Sequence, residues 1–250
     1  GGGGDLKQLQ DIIENILPLI TRQPIKLMLI IGPMSNDTGP FISRYLNEPN
    51  VEIIQDCVDL FPYLQVCDLY IGAAGGILYQ LLALNKPALT FAMADNQQNP
   101  ISLLEDIGHY FHCDGQFIFQ GIGNFVLSVA EHYQRVKNLP SKVKILDGFG
   151  SMRVAYAISG LKVDKEGLTI KHVARSACYI QLNENYRIRP VVDSDINHYL
   201  DSRNLSINTQ NMIESKPIAR LVHYAWWFNT QRSSYLLEKD NQACLYIWHQ

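Results

Sequence analysis

Short apolar runs alternate with amphipathic stretches along the first 161 residues of the chain. The run IKLMLIIG, from Ile25 to Gly32, is too short and too uniformly apolar for an amphipathic helix, so it predicts a parallel strand buried on both faces. Apolar residues from Leu6 to Ile20 keep helical spacing and predict a helix with one buried face, although Pro18 should disturb its last turn.

The same alternation continues along the chain. Further strands are predicted at VEIIQ, DLYIGA, PALTFAM and FHCDG. Further helices are predicted at FISRYLNE, DLFPYLQVC, GILYQLLALN, NPISLLEDIGHY, IGNFVLSVAEHYQRVKNL and DGFGSMRVAYAISGL. Strands that alternate with helices predict an α/β domain, here from about Asp5 to Leu161, with a parallel sheet and right-handed crossovers. The leading GGGG resembles an artificial leader and is excluded from this fold prediction.

The pattern changes after Leu161. A polar linker leads to an alternating strand at YRIRPV and to a helix at DSDINHYL, for which Ser194 or Asp195 is a candidate cap. The segment SSYLLEKDNQACLYIWHQ predicts a hairpin with its turn at KDNQ. We therefore expect a second, partial α+β region from about Thr169 to Gln250.

Composition narrows the possible partners. The chain has 250 residues and a net charge of −3, and its basic residues are scattered, so nucleic acid is not expected as a partner. The five cysteines are widely spaced without a CxxC pair, which favours buried thiols in a reducing compartment and no metal site. No apolar run approaches the ~18 residues that span a bilayer, so the sequence predicts a cytoplasmic protein without a membrane partner.

Small residues cluster where the DLYIGA strand should turn into a helix. Gly75 and Gly76 follow Ala73 and Ala74 there, and the carboxyl ends of parallel strands are where ligands bind in open α/β sheets. A backbone with little side chain can approach an anion such as phosphate closely. The alternative is that small residues only let the helix pack on the strand.

Three amide side chains accompany this turn. Asn96 and Gln97 follow the next strand, and Gln80 lies one helical turn into the following helix. Amides offer uncharged donors and acceptors that suit sugar hydroxyls. An ordinary polar loop and an exposed helical Gln are the alternatives.

The run CDLYIGAAGGILYQLLALNKPALTFAMADNQ, with DGFGSMRVAYAI after it, resembles the carboxyl-terminal half of the UDP-sugar hydrolases of pseudaminic acid biosynthesis. These enzymes are relatives of the two-domain GT-B glycosyltransferases typified by the peptidoglycan enzyme that adds GlcNAc to lipid I. The resemblance covers about Lys26 to Leu161. It implies a Rossmann-like half that holds UDP, with the sugar in a cleft against a second half that this chain lacks.

The resemblance also implies roles for single residues. Gly75 and Gly76 would line the diphosphate, Gln80 would stand where the family has a ribose-binding Glu, and Asn96 with Gln97 would match a polar strand-end pair. The family has Gly-Gly-Ser-Thr where this chain has Ala-Gly-Gly-Ile, so two hydroxyl donors are missing. The family's catalytic His belongs to the other half, so neither His109 nor His112 matches it and the catalytic residue is unknown.

The second region resembles the start of a GNAT acetyltransferase of the kind that modifies amino sugars. The resemblance rests on YRIRPVVDSDINHYLDSRN followed by HYAWWFNTQRSSYLLEKDNQACLYIWH. It implies that His223, Trp226 and Trp227 line an acceptor pocket, the alternative being an aromatic core. Acetyl-CoA would be a cofactor only of a complete GNAT domain, because the Gly-rich loop that holds it does not occur here; the hydrolase-like domain needs none.

Two functions remain open from the sequence. The chain is either the UDP-sugar-binding part of a nucleotide-sugar hydrolase of nonulosonic acid biosynthesis, with missing parts in a longer parent, or a degenerate scaffold fused to an amino-sugar N-acetyltransferase. We expect no appreciable turnover of either kind, because hydrolysis needs a positioned base and acetyl transfer needs a cradle for the thioester.

Overall fold

The computed structural model describes residues 3–4, 6–93, 97, 111–114, 119–139, 149–159, 178–212, 215–231 and 233–249. The first half contains, in chain order, β1 (Gly3–Gly4), α1 (Lys7–Ile20), β2 (Leu27–Ile30), β3 (Met34–Ser35), α2 (Thr38–Tyr45), β4 (Val51–Ile54), α3 (Phe61–Val66), β5 (Tyr70–Ala73), α4 (Ile77–Ala83), β6 (Ala88–Phe91), β7 (Phe111–His112), α5 (Ile122–Glu131), α6 (Tyr133–Lys137) and α7 (Gly150–Ser159). The second half contains β8 (Ile180–Gln181), β9 (Tyr186–Pro190), a 3₁₀ turn (Asp193–Asp195), α8 (Ile196–Asn204), α9 (Ser206–Thr209), α10 (Arg220–Asn229), β10 (Ser233–Lys239) and β11 (Gln242–His249).

Parallel pairing in the first half is confirmed. Strand β2 pairs with β4, and β5, β6 and β7 form a second parallel sheet in that order. Every residue of β6 is buried, as expected for a central parallel strand covered on both faces. The sequence predicted one sheet, whereas the described strands form separate ladders. Leu27 of β2 and Ile71 of β5 pack against the same hydrophobic cluster.

Helix α1 reaches Ile20 as predicted, with Pro18 inside its last turn. Two other local predictions were wrong in detail. The predicted long helix breaks at His132 into α5 and α6, where the His132 imidazole lies 3.1 Å from the Asn229 side chain of α10. The excluded glycines Gly3 and Gly4 pair as a short strand with Met34 and Ser35. The predicted helix at NPISLLEDIGHY lies outside the described residues.

The second half is an antiparallel sheet with helices on one face, in the order β11-β10-β9-β8. The predicted turn at KDNQ is confirmed, with both Asp240 and Asn241 at positive φ as a tight hairpin turn requires. Asp195 is the N-cap residue of α8 but makes no side-chain cap bond to that helix. Its carboxylate accepts from the Val192 N–H, as part of a capping box at the 3₁₀ turn, and from Arg189. The fold class is therefore mixed α/β with parallel and antiparallel sheets.

The two halves share one hydrophobic core. Helix α5 packs against α1 on one side and against α10 of the second half on the other. Tyr224 of α10 is fully buried against Phe111 and Phe125, with ring centroids 5.2 Å and 5.7 Å away. We call α1, α5 and α10 the packed junction. The predicted boundary between residues 161 and 169 lies outside the described residues and stays a prediction.

Candidate functional site at the turn between β5 and α4

The turn from Ala73 to Gly76 joins the carboxyl end of β5 to α4. The Ala74 N–H donates to Phe91 O at 2.9 Å and so extends the β5–β6 ladder by one step, while the Gly75 N–H donates to Ala73 O at 2.9 Å. The Gly76 carbonyl accepts from the Tyr79 N–H at 3.2 Å as the helix begins. The turn therefore lies directly beside the end of β6, as the sequence predicted.

Gly75 and Gly76 have no packing role in this structure. A Cβ built on either residue would meet nothing within 4 Å. Neither residue has a positive φ, since Gly76 has φ −57° and positive φ among the described glycines occurs at Gly121. The alternative interpretation, that these glycines let α4 pack on β5, does not hold for them.

The packing interpretation does hold for the neighbouring small residues. Ala74 is buried in a cluster with Leu78 and Leu81 of α4. A Cβ on Gly72 would collide with the hydroxyl of Tyr70, which reaches the Ala73 carbonyl at 3.5 Å. Burial raises the pKa of Tyr70 to about 12, so this phenol is neutral at physiological pH. The small-residue run thus divides into a packed part and an open part.

The amide residues are brought together only in part. Gln80 is exposed on α4, and the Gln97 side-chain carbonyl accepts from the Met93 N–H at 2.8 Å just after β6. Asn96 lies outside the described residues. One of the two acceptor lone pairs of the Gln97 side-chain carbonyl is therefore used by the chain itself, and this amide shapes the end of β6.

Two of the described histidines are buried in the core. His112 is buried in β7, and its backbone N–H donates to the Tyr224 hydroxyl at 3.3 Å. The buried His223 imidazole is 2.9 Å from Ile196 O and stacks on Tyr199 at 6.0 Å. His109 lies outside the described residues. The imidazoles of His112 and His223 therefore both belong to the core.

The aromatic residues of the predicted acceptor pocket take different places. Trp227 is buried, and its indole N–H donates to Asp193 Oδ1 at 3.0 Å. Trp226 is exposed and borders a cleft of about 410 Å³ between α5 and α10, which is also lined by Ser128, Glu131 and Asn229. A second cleft of about 410 Å³ lies beside Arg135. Neither cleft includes the β5–α4 turn.

Ion pairs at and near the packed junction were not anticipated from the sequence. The Arg135 guanidinium of α6 donates two hydrogen bonds to the Asp193 carboxylate, at 2.6 Å and 3.1 Å. Arg220 of α10 forms an ion pair with Asp114 at 2.9 Å. Each pair joins the two halves, so charge as well as apolar area fixes their contact. No local sequence pattern predicts ion pairs between residues that are more than fifty positions apart in the chain.

A second network lies under the antiparallel sheet. Glu238 accepts from Arg187 at 2.6 Å and from Arg189 at 3.0 Å, and Arg189 also holds Asp195 at 2.7 Å. Burial alone raises the pKa of Glu238, but the two arginine hydrogen bonds outweigh it, and the pKa is lowered overall. The alternation in YRIRP is the signal for this network, because it places both arginines on one face of β9.

Two further predictions concern cysteines and metals. All five cysteines are free, but only Cys113 is buried, and the prediction of buried thiols is wrong for the exposed Cys178 and Cys244. Burial raises the pKa of Cys113 to about 12, so this thiol is protonated and inert. Within the described ranges, no group of three or more His, Cys, Asp and Glu residues is placed to hold a metal ion.

None of the helices in the described part of the chain has the length and apolar character to cross a membrane. No protein-family model, no curated protein and no solved structure matches the chain.

Proposed function

We propose that the first half of the chain binds a nucleoside diphosphate, in the form of a UDP-linked amino sugar, at the β5–α4 turn. The observation that carries the proposal is the open space over Gly75 and Gly76, where neither sterics nor backbone angle requires glycine. A phosphate that approaches the backbone closely would explain why both positions lack a Cβ. The position beyond the carboxyl ends of β5 and β6 fits the usual place of ligands in open α/β sheets.

The choice of UDP rests on the sequence resemblance to UDP-sugar hydrolases. In this proposal the first half is a Rossmann-like, GT-B-type half in which Gly75 and Gly76 face the diphosphate. Gln80, exposed on α4, would meet a ribose hydroxyl, and Asn96 with Gln97 would meet the sugar or base. Binding, rather than hydrolysis, is the function proposed for this chain, since His112 and His223 are core residues that cannot activate a water at the turn.

A second candidate function is that of a scaffold for an acetyltransferase-like second half. The observation that favours it is the packed junction, in which Tyr224 of α10 is buried among Phe111, Phe125 and the His112 backbone of the first half. Two units that share a core hold each other in a fixed orientation. Scaffolding does not exclude nucleotide binding, but it requires no ligand at Gly75.

Isothermal titration calorimetry of the full chain with UDP, GDP and ATP tests the proposed function. We expect heat with UDP and little or none with the purine nucleotides. Gly75→Val should lose this heat, and Gly150→Val is the matched control, because Gly150 at the start of α7 is also open to a Cβ and belongs to a different element, so this variant should bind UDP as the unmodified chain does. Equal or absent heat for all three nucleotides would contradict nucleotide binding and leave the scaffold function.

A further inference from the structure

The end of β7 places a carboxylate at the edge of the sheet where the candidate nucleotide site lies. Strands β5, β6 and β7 are parallel and are neighbours in that order, so their carboxyl ends share one edge. The Cys113 N–H donates to Thr90 O at 2.9 Å and extends the β6–β7 ladder one residue beyond His112. Asp114 follows directly, so it lies at the same edge as the β5–α4 turn, with the end of β6 between them.

The Asp114 carboxylate is fixed in place by the first turn of α10. One of its oxygens accepts from the Arg220 backbone N–H, and the other lies 2.9 Å from Arg220 Nε. The Asp114 side chain is nevertheless 41% exposed, whereas that of Arg220 is 18% exposed. Each carboxylate oxygen has two lone pairs, so both oxygens can accept a further hydrogen bond from the exposed side.

The charges around Arg220 favour a hydrogen-bond donor at this strand end. The Arg220 guanidinium also donates to Asp201 Oδ1 at 2.6 Å and to Asn197 Oδ1 at 3.2 Å. One positive charge therefore faces two carboxylates, and one negative charge is left unbalanced. Coulomb repulsion disfavours a phosphate beside Asp114, whereas a hydroxyl group that donates a hydrogen bond is attracted. The ends of β5 and β7 thus suit different parts of one ligand.

We propose that Asp114 determines specificity for the sugar of the nucleotide-sugar ligand, because its carboxylate accepts hydrogen bonds from the hydroxyl groups of that sugar. This role rests on the proposed function, in which the diphosphate lies over Gly75 and Gly76. Two strand spacings of about 4.8 Å separate the ends of β5 and β7, roughly 10 Å in all. The group attached to the diphosphate crosses that distance over the end of β6 and meets Asp114. The second half takes part in the site by holding this carboxylate through Arg220.

Isothermal titration calorimetry of the full chain with UDP and with UDP-N-acetylglucosamine tests the proposal. The unmodified chain should bind the sugar nucleotide about tenfold more tightly than UDP, as expected for one hydrogen bond to a charged acceptor. Asp114→Asn should lose this preference, because the bond to a neutral acceptor is weaker, and its affinity for UDP should change by less than about threefold. Asp201→Asn is the matched control, because it removes the other carboxylate bound to Arg220 but lies on α8, and it should keep the preference.

Circular dichroism of both variants checks that the fold is retained. Asp114→Glu supplies a second probe that keeps the charge facing Arg220 and moves the carboxylate by one methylene, so it should also weaken the preference. A preference that survives in both Asp114 variants, or that is lost equally in Asp201→Asn, overturns the role of Asp114. UDP binding without any preference for the sugar nucleotide overturns this role alone, whereas absence of heat with UDP contradicts the proposed function as well.

Discussion

The packed junction and the β5–α4 turn both contain glycine, but the surroundings of that glycine differ. A Cβ on Gly123 in α5 would collide with the Asn15 carbonyl and lie 2.5 Å from Leu19 Cδ1, both on α1. A Cβ on Gly75 or Gly76 would meet nothing within 4 Å. The first glycine is explained by the fold alone, whereas the other two are not. A position that the fold leaves unexplained is the better candidate for contact with a ligand.

The largest effect is expected at the centre of the packed junction. Tyr224→Ala removes a fully buried ring that contacts Phe111 and Phe125, and should lower the free energy of unfolding by about 3–5 kcal/mol. Tyr224→Phe should cost about 1–3 kcal/mol, because the Tyr224 hydroxyl donates to Asn197 at 2.6 Å and accepts from the His112 N–H. Urea unfolding followed by circular dichroism measures both. A free energy of unfolding that is almost unchanged in Tyr224→Ala would show that the halves do not share a core.

The glycine of the junction should come next. Gly123→Ala should destabilise the chain by about 1–3 kcal/mol, because the backbone of α1 at Asn15 must move to admit the methyl group. The same urea titration of Gly150→Ala provides the control, since that glycine at the start of α7 is open to a Cβ. If both variants are equally stable, the contact between α1 and α5 is looser than the geometry indicates.

The polar network around Glu238, under the antiparallel sheet, should make the stability of the chain depend on pH. The pKa of Glu238 is lowered in the folded chain, so the stabilisation it provides is present above the unfolded pKa of about 4.3 and is lost as pH falls through the lower folded value. Glu238→Gln should cost about 1–3 kcal/mol at pH 7. The difference in the free energy of unfolding between the unmodified chain and Glu238→Gln should shrink on acidification to about pH 3. A difference that does not change with pH would contradict the conclusion that the Glu238 carboxylate stabilises the fold in its charged form.

The smallest effect on stability is expected at the open turn. Gly75→Val should change the free energy of unfolding by less than about 0.5 kcal/mol, since the new side chain has open space. It should nevertheless abolish UDP binding in calorimetry, because a branched side chain would occupy the space of the phosphate. Unfolding of this variant would return Gly75 to a packing role and remove the main support for the site.

Element types were largely predictable, because hydrophobic period and turn chemistry are local. The KDNQ turn follows from residues that tolerate positive φ, and Ala88–Phe91, apolar except for Thr90, is the buried central strand. The contact between Tyr224 and His112 was not predictable, since it joins residues 112 positions apart. The contact between His132 and Asn229 was not predictable for the same reason, because Asn229 belongs to the other half.

The candidate site shows the same limit. The sequence places Gly72, Gly75 and Gly76 in one run and treats them alike. Only the three-dimensional surroundings separate Gly72, which lies against the Tyr70 hydroxyl, from the two open glycines. Composition therefore locates the turn, but it cannot distinguish a glycine required by packing from one that is available to a ligand.

Backbone amide chemical shifts during titration of the full chain with UDP test the central claim most directly. The account predicts that the Gly75 and Gly76 amide signals shift most, with saturation, while the equally open Gly39 stays unchanged. Unmoved Gly75 and Gly76 signals, or shifts confined to the cleft beside Trp226, would contradict the assignment of the β5–α4 turn as the nucleotide site.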